Sequence, residues 1–119
     1  MNKFTQPVLV PVDDKNWELH EEYYVKTSRV SFIIPKGFLT DLASVPKIVW
    51  NIYPPFGLYT GAAVAHDYIY RTPQMRQTRE EADAVFLELM HLAGVRDTKA
   101  QLMHLAVRAF GSSSFKERH

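Results

Sequence analysis

The sequence predicts an α+β fold, in which a small N-terminal antiparallel sheet is followed by a bundle of about three helices. The first third of the chain consists of short runs rich in β-branched and aromatic residues, which favour strands. The remainder repeats apolar residues at helical spacing between recognisable capping residues. Because the chain has 119 residues and neither a long linker nor an internal repeat, we expect one domain, residues 1–119.

We expect residues 1–36 to be mainly strands. Ser28 and Arg29 separate the two clearest strand candidates, and this connection is short enough for a hairpin. Gly37 and the two residues before it are predicted to end the sheet. The two clear strand candidates are residues 22–27 and 30–34, and the two weaker ones are residues 7–12 and 17–19.

Helical patterns dominate the rest of the chain. Residues 37–58 are predicted to be irregular, with a short helix over residues 45–52 that Ser44 caps. The clearest helix begins at the capping box formed by Thr78 and Glu81. Residues 59–111 are predicted to contain helices over about 60–71, from the capping box to Gly94, and over about 98–110, with a flexible tail at 112–119.

The composition excludes several classes of function. Fourteen basic and thirteen acidic residues give a net charge of +1, and Lys99 and Arg108 with the basic tail (Lys116 and Arg118) make only a small patch, so we expect no nucleic-acid partner. The absence of cysteine excludes a disulfide scaffold, a thiolate zinc site and a cysteine nucleophile. Without a long apolar stretch or a signal-peptide core, we expect no transmembrane segment and synthesis in the cytoplasm.

The most informative feature is the adjacent pair His66 and Asp67 within an otherwise apolar run of helical length. Buried ionisable groups need partners, a metal ion or a cleft. On a helix the two side chains are rotated by about 100° from each other, so they face different neighbours. Asp83 lies on the next helix and is predicted to accept a hydrogen bond from His66, which leaves this imidazole to act as a general base.

A cation site is predicted at Asp41 and Asp67. Asp41 lies in the irregular segment after the sheet, where backbone carbonyls are available. Two carboxylates and carbonyl oxygens are the donors that Ca²⁺ prefers, whereas Zn²⁺ prefers imidazole or thiolate. We therefore expect a divalent metal ion, with calcium favoured over zinc, and we expect the imidazole and the three carboxylates to converge on one water-accessible hollow.

The same residues also fit a purely structural interpretation. Asp41 is equally suited to cap the following short helix, and Asp83 to occupy the first turn of its helix, where the dipole favours an acid. Arg71 is placed to form a salt bridge with Asp67. A structural polar network and a functional site therefore both remain open at this stage.

Six sequence elements stand in a fixed order along most of the chain. They are Gly37-Phe38-x-Thr40-Asp41-Leu42-Ala43-Ser44-Val45-Pro46, Trp50, Gly57, Ala63-x-x-His66-Asp67-x-x-Tyr70, Ala82-Asp83-x-x-Phe86 and Ala106-Val107-Arg108-x-x-Gly111. With these elements the chain, from about residue 17 to 111, resembles an uncharacterised family carried by tailed phages, prophages and some bacteria, a domain of unknown function. That resemblance implies a phage or prophage origin.

A second resemblance is local. His66-Asp67-x-x-Tyr70, followed by Asp83, is similar to the catalytic core of phospholipases of the A-two type. The resemblance implies that His66 activates water, Asp67 binds calcium, Asp83 orients the histidine and Tyr70 supports the network. Asp41 stands where the calcium loop of that family contributes ligands. This chain has neither the cysteines nor the glycine-rich calcium loop of those enzymes.

Two functions follow as expectations. The first is a small phage-encoded hydrolase with a metal-assisted histidine and aspartate site, acting on lipid or peptidoglycan of the host envelope. Its candidate catalytic residues are His66, Asp83 and Tyr70, and its metal ligands are Asp41 and Asp67. The alternative is a virion or tail-assembly component, with other virion proteins as partners, in which these residues form a structural network.

Overall fold

A computed structural model describes residues 5–14, 16–41 and 57–111 of the chain. Five short strands are followed by three helices, so the predicted α+β class is confirmed. The strands are β1 (Leu9–Pro11), β2 (Trp17–Leu19), β3 (Tyr23–Lys26), β4 (Ser31–Ile34) and β5 (Leu39–Thr40). The helices are α1 (Thr60–Arg71), α2 (Arg79–Leu92) and α3 (Asp97–Phe110), with a 3-10 turn (Pro73–Met75) after α1.

The described strands form two small antiparallel sheets. One sheet has the order β1-β2-β5, and the other is the hairpin of β3 and β4. The hairpin is the one predicted from the short connection at Ser28 and Arg29, and its register pairs Tyr23 with Ile34. Each sheet turns its buried side chains toward the helices, because alternate strand residues point to opposite faces.

Strand β5 was not predicted from the sequence. The backbone at Gly37 has φ of +92°, a left-handed conformation that favours glycine, and its N–H donates to the carbonyl of Leu19 at 2.9 Å. The chain therefore turns back, and Thr40 pairs with Trp17 of β2. The hairpin sheet ends before residues 35–37, as expected, but the chain then adds a third strand, β5, to the sheet of β1 and β2. This turn brings Thr40 and the following residue to α1.

Helix α1 is the centre of the domain. It begins and ends at the predicted residues, and ten of its twelve residues are buried. Glycine and alanine at positions 61–63 and 65 keep its N-terminal half narrow, so that α2 and β5 pack against it. A helix buried on nearly all sides must satisfy any buried charged side chain internally, so the contacts of His66 and Asp67 define the site.

The other two helices also follow the sequence pattern. The Thr78 hydroxyl accepts a hydrogen bond from the Glu81 N–H at 3.1 Å, and the Glu81 carboxylate accepts one from the Thr78 N–H at 2.8 Å, which is the predicted capping box. Gly94 follows α2 with φ of +89°. No helix in the described ranges is both long and apolar enough to cross a membrane. The short helix and the tail predicted at residues 45–52 and 112–119 lie outside the described residues.

Candidate active site

His66 and Asp83 form a direct buried contact between α1 and α2. The His66 Nε2 lies 2.6 Å from the Asp83 Oδ1, and neither side chain is exposed to solvent. The Tyr70 hydroxyl, one turn along α1, donates to the same oxygen at 2.5 Å. The sequence predicted that these residues meet, because helices joined by a short connection pack antiparallel. The residues placed together are the three candidate catalytic residues.

The second oxygen of Asp83 is held by arginines. The Arg108 Nη1 on α3 donates to Oδ2 at 2.9 Å, and the Arg79 Nη1 lies 3.9 Å from the same oxygen. Arg79 also donates to the carbonyls of Val107 and Arg108 near the end of α3, at 3.1 and 3.0 Å. The carboxylate therefore joins all three helices.

These donors keep Asp83 ionised. Burial by itself raises the pKa of the Asp83 carboxyl, but the hydrogen bond and charge of His66, with hydrogen bonds from Tyr70 and Arg108, outweigh burial and lower the pKa below its ordinary value. An ionised carboxylate only accepts hydrogen bonds, so the proton shared with His66 belongs to Nε2. The second ring nitrogen, Nδ1, is the one that does not contact Asp83.

The His66 ring lies between two aromatic rings. Its centroid is 4.1 Å from that of Tyr70 and 4.8 Å from that of Phe86, tilted by 41° and 38°. Burial raises the pKa of the Tyr70 hydroxyl, and the neighbouring Asp83 raises it further, so Tyr70 stays a hydrogen-bond donor. The imidazole therefore has a fixed orientation and no direct exposure to solvent in this conformation.

Asp67 faces the other side of α1, toward β5. Its Oδ2 accepts a hydrogen bond from the Thr40 hydroxyl at 2.6 Å and one from the Arg71 Nη1 at 3.3 Å. The side chain is buried, and within the described part of the chain no donor reaches its Oδ1. Burial raises the pKa of Asp67, and the hydrogen bonds from Thr40 and Arg71 offset only part of this increase.

The Asp41 carboxylate lies within electrostatic range of Asp67. The negative charge of Asp41 raises the pKa of Asp67 further, whereas the positive charge of Arg71 lowers it. Carboxylate oxygens are the kind of ligand that a hard cation such as Ca²⁺ prefers. Among residues 5–14, 16–41 and 57–111, however, no three histidine, aspartate or glutamate side chains are placed to hold a metal ion together.

The predicted site residues thus fall into two clusters. We call His66, Tyr70, Asp83, Arg79 and Arg108 the brace, and Asp67, Asp41, Thr40 and Arg71 the cation cluster. The expectation of one water-accessible hollow is wrong for this conformation, because His66, Asp67 and Asp83 are all buried. The adjacent positions 66 and 67 on α1 necessarily project their side chains in different directions.

Several residues of both clusters were missed by the sequence analysis. Thr40 and Arg108 are among the residues that carry the family resemblance, but nothing in the sequence marks their contacts with the carboxylates, and Arg79 was not singled out at all. Gly111 was predicted only as the end of the last helix and as part of the family resemblance. A Cβ atom there would lie 2.5 Å from the Val107 carbonyl oxygen and 2.9 Å from the Tyr70 hydroxyl, so the brace needs glycine at this position.

Comparison with known proteins gives one match. The family described as "Protein of unknown function (DUF1353)" matches residues 17–107, which is most of the chain. Neither the curated proteins nor the solved structures contain a significant match. The prediction of a domain of unknown function is confirmed, whereas the phage origin and the phospholipase similarity stay predictions.

Proposed function

The chain belongs to the DUF1353 family, and we propose that this domain is a hydrolase in which His66 is the general base and Asp83 its positioning residue. The observation that carries the proposal is the contrast between the two clusters. One side of α1 fixes an imidazole by a contact of 2.6 Å, and the other side holds Asp67 buried with one oxygen that no described donor reaches. A buried carboxylate with one oxygen not reached by any described donor is suited to bind a ligand.

The chemistry follows from the positions of the protons. With Nε2–H donated to Asp83, the Nδ1 of His66 takes a proton from water as the water oxygen attacks a carbonyl carbon. The resulting imidazolium is stabilised by the Asp83 carboxylate, and it returns the proton to the leaving oxygen or nitrogen. Tyr70 holds the same carboxylate oxygen and so fixes the direction of the ring. Because His66 is buried, the reaction requires an opening that admits water to this ring.

A cation is proposed at Asp67 and Asp41. Ca²⁺ held there would supply positive charge to the substrate of His66 only in an open conformation that exposes both clusters to the same substrate. Thr40 positions Asp67 from β5. Calcium takes about six to eight oxygen ligands, so backbone carbonyls and water would complete a site to which the described residues contribute two carboxylates.

The proposed substrates are ester or amide bonds of a bacterial envelope, in lipid or peptidoglycan. This assignment is supported by the motif around His66 and by the resemblance to phage and prophage proteins. The protein is then made in the host cytoplasm and associated with the virion. No nucleic-acid partner is proposed, because the net charge is only +1.

Hydrolysis assays test the proposal directly. We would incubate the purified protein with phospholipid vesicles and, separately, with peptidoglycan, at increasing Ca²⁺. We expect calcium-dependent release of fatty acid or peptide, and a loss of about 100-fold or more in rate for His66→Asn. Asp67→Asn should keep the fold and lose the calcium dependence. Folded wild-type protein without turnover on either substrate would contradict the proposal.

A structural role in a virion or tail is the second candidate. The complete burial of His66, the three hydrogen-bond donors to Asp83 and the nearby Arg79 guanidinium favour it, because such networks also serve only to fix a fold. If this candidate holds, His66→Asn will lower the free energy of unfolding, and wild-type protein will show neither turnover nor calcium binding.

A further inference from the structure

A groove lies along the outer edge of β3, on the far side of the hairpin from β4. Its volume is about 760 Å³, within the range of about 300–1,000 Å³ typical of ligand sites. One wall is the edge of β3, the second is the C-terminal half of α2 with Leu89 and Leu92, and the third is the segment at residues 5–8. None of the residues of the brace or the cation cluster lines it.

The register of the hairpin shows which backbone groups face this groove. The Thr27 N–H donates to the Val30 carbonyl at 3.0 Å, so Thr27 and Val30 form a hydrogen-bonded pair. In an antiparallel ladder such pairs alternate, and Val25 therefore also points its backbone groups toward β4. The N–H and C=O groups of Tyr24 and Lys26 point the other way, into the groove. In the described part of the chain β3 pairs with β4 alone.

The edge of β1 provides an internal contrast. The His20 N–H donates to the Val8 carbonyl, so residues 7, 9 and 11 direct their backbone outward. Two of these residues, Pro7 and Pro11, are prolines and have no N–H to offer. Such residues prevent pairing at an exposed edge, whereas β3 has no proline and presents complete donors and acceptors.

Hydrogen bonds at both ends of β3 hold the groove in shape. Glu88 on α2 accepts hydrogen bonds from the Ser28 N–H and hydroxyl, at 2.7 and 2.8 Å, which fixes the hairpin tip to the helix. At the N-terminal segment, the Tyr23 hydroxyl donates to the Thr5 carbonyl at 2.6 Å. Three walls fixed in this way leave a preformed slot beside the outer edge of β3, which no other described strand pairs.

We propose that this groove binds an extended, basic segment of a partner protein, which adds to β3 as a further strand. Main-chain hydrogen bonds to Tyr24 and Lys26 would provide affinity. Alternate side chains of the segment would contact Leu92, which is 54% exposed, and the others would face the charged rim. That rim carries Glu21, Glu22 and Glu88 against the single Lys26, so basic side chains complement it. The inference is independent of the proposed hydrolase activity.

Peptide binding tests this inference. The probe is a fluorescent six-residue peptide that alternates valine and lysine, compared with one that alternates valine and glutamate and with a fully N-methylated valine–lysine peptide. We expect the first peptide to bind at least about tenfold more tightly than either control. Tyr24→Pro, which removes one outward N–H, should weaken binding about tenfold, whereas Tyr24→Ala should change it less than about threefold.

Hydrogen exchange gives a readout that does not depend on a variant. The amides of Tyr24 and Lys26 should exchange rapidly in the free protein and at least about tenfold more slowly with the valine–lysine peptide. Equal binding of all three peptides, or no binding, would overturn the proposal. Slow exchange of these two amides in dilute free protein would overturn it as well, because the edge would then be covered by this chain or by a second copy.

Discussion

Asp67 on α1 and Asp83 on α2 are both buried carboxylates, but their surroundings shift their pKa values in opposite directions. Asp83 accepts hydrogen bonds from His66, Tyr70 and Arg108, and its pKa is lowered. Asp67 has two donors on one oxygen, a neighbouring acid, and a raised pKa. The partners of Asp83 therefore favour its ionised form more than burial disfavours it. At Asp67, burial outweighs the effect of the partners.

We interpret this difference as the distinction between a residue that stabilises the fold and a residue at which we propose a ligand. A charge that is overcompensated stabilises the folded state, and its removal leaves several donors without an acceptor. A charge that is undercompensated lowers the stability, and proteins retain such groups at functional sites. Asp83 is therefore the structural member of the pair, even though it also contacts His66, and Asp67 is the member at which we propose a cation.

The largest effect is expected for Asp83→Asn. This change removes the charge that Arg108 and Arg79 face, so we expect the free energy of unfolding to fall by about 3–5 kcal/mol. Denaturant titration measures it. Glu80→Gln, an exposed acid in the first turn of the same helix, is the matched control and should change stability by less than about 0.5 kcal/mol. If the two variants lose the same amount, Asp83 does not join the helices.

A smaller loss is expected for Gly111→Ala. The added Cβ would approach the Val107 carbonyl and the Tyr70 hydroxyl too closely, so we expect a loss of about 1–3 kcal/mol by overpacking. Thermal unfolding measures it, with the exposed neighbour Phe110→Ala as control. An unchanged melting temperature for Gly111→Ala would mean that the end of α3 is not packed against the brace.

The two carboxylates should also respond to pH with opposite signs. Because the folded-state pKa of Asp83 lies below its unfolded value, its contribution is present above that unfolded value and is lost as the pH falls through the folded one. The raised pKa of Asp67 gives the reverse, so its charge begins to destabilise as the pH rises above the unfolded value.

Unfolding of wild type, Asp83→Asn and Asp67→Asn between about pH 3 and pH 7 measures this difference. The stability lost in Asp83→Asn and the stability gained in Asp67→Asn should both shrink toward the acid end. A gain in Asp67→Asn that does not depend on pH would show that the Asp67 charge is not its source.

The smallest effect is expected for Thr40→Val. The substitution keeps the shape of the side chain but removes the hydrogen bond to Asp67, so stability should fall by about 1 kcal/mol and the pKa of Asp67 should rise further. Thr40→Ser keeps the hydroxyl and is the control. Carboxyl titration by NMR follows the pKa, and an unchanged value in Thr40→Val would remove Thr40 from the cation cluster.

The sequence revealed those parts of the site that depend on helical periodicity and short connections. The bounds of α1, the capping box at Thr78 and the meeting of His66 with Asp83 all follow from residues close together in the chain. Such local relations can be read from residue spacing. The contact between α1 and α2 requires only one further assumption, that the short connection makes these helices antiparallel.

The parts that escaped prediction depend on long-range packing. Arg108 is 25 residues from Asp83 along the chain, and Thr40 is 27 residues from Asp67. Strand β5 is only two residues long and forms because Gly37 turns the chain back, not because of a strand-like pattern. The sequence therefore indicated the charged residues but not how completely each charge is satisfied, which depends on these distant donors.

The most direct test of the contrast is the free energy of unfolding of Asp67→Asn at neutral pH, with and without Ca²⁺. Without calcium, we expect the variant to be about 1 kcal/mol more stable than wild type, because an undercompensated charge has been removed. Saturating calcium should stabilise wild type by about 2–3 kcal/mol at 100 times the dissociation constant and leave the variant unchanged. A variant less stable than wild type without calcium, and no effect of calcium on either protein, would contradict the account.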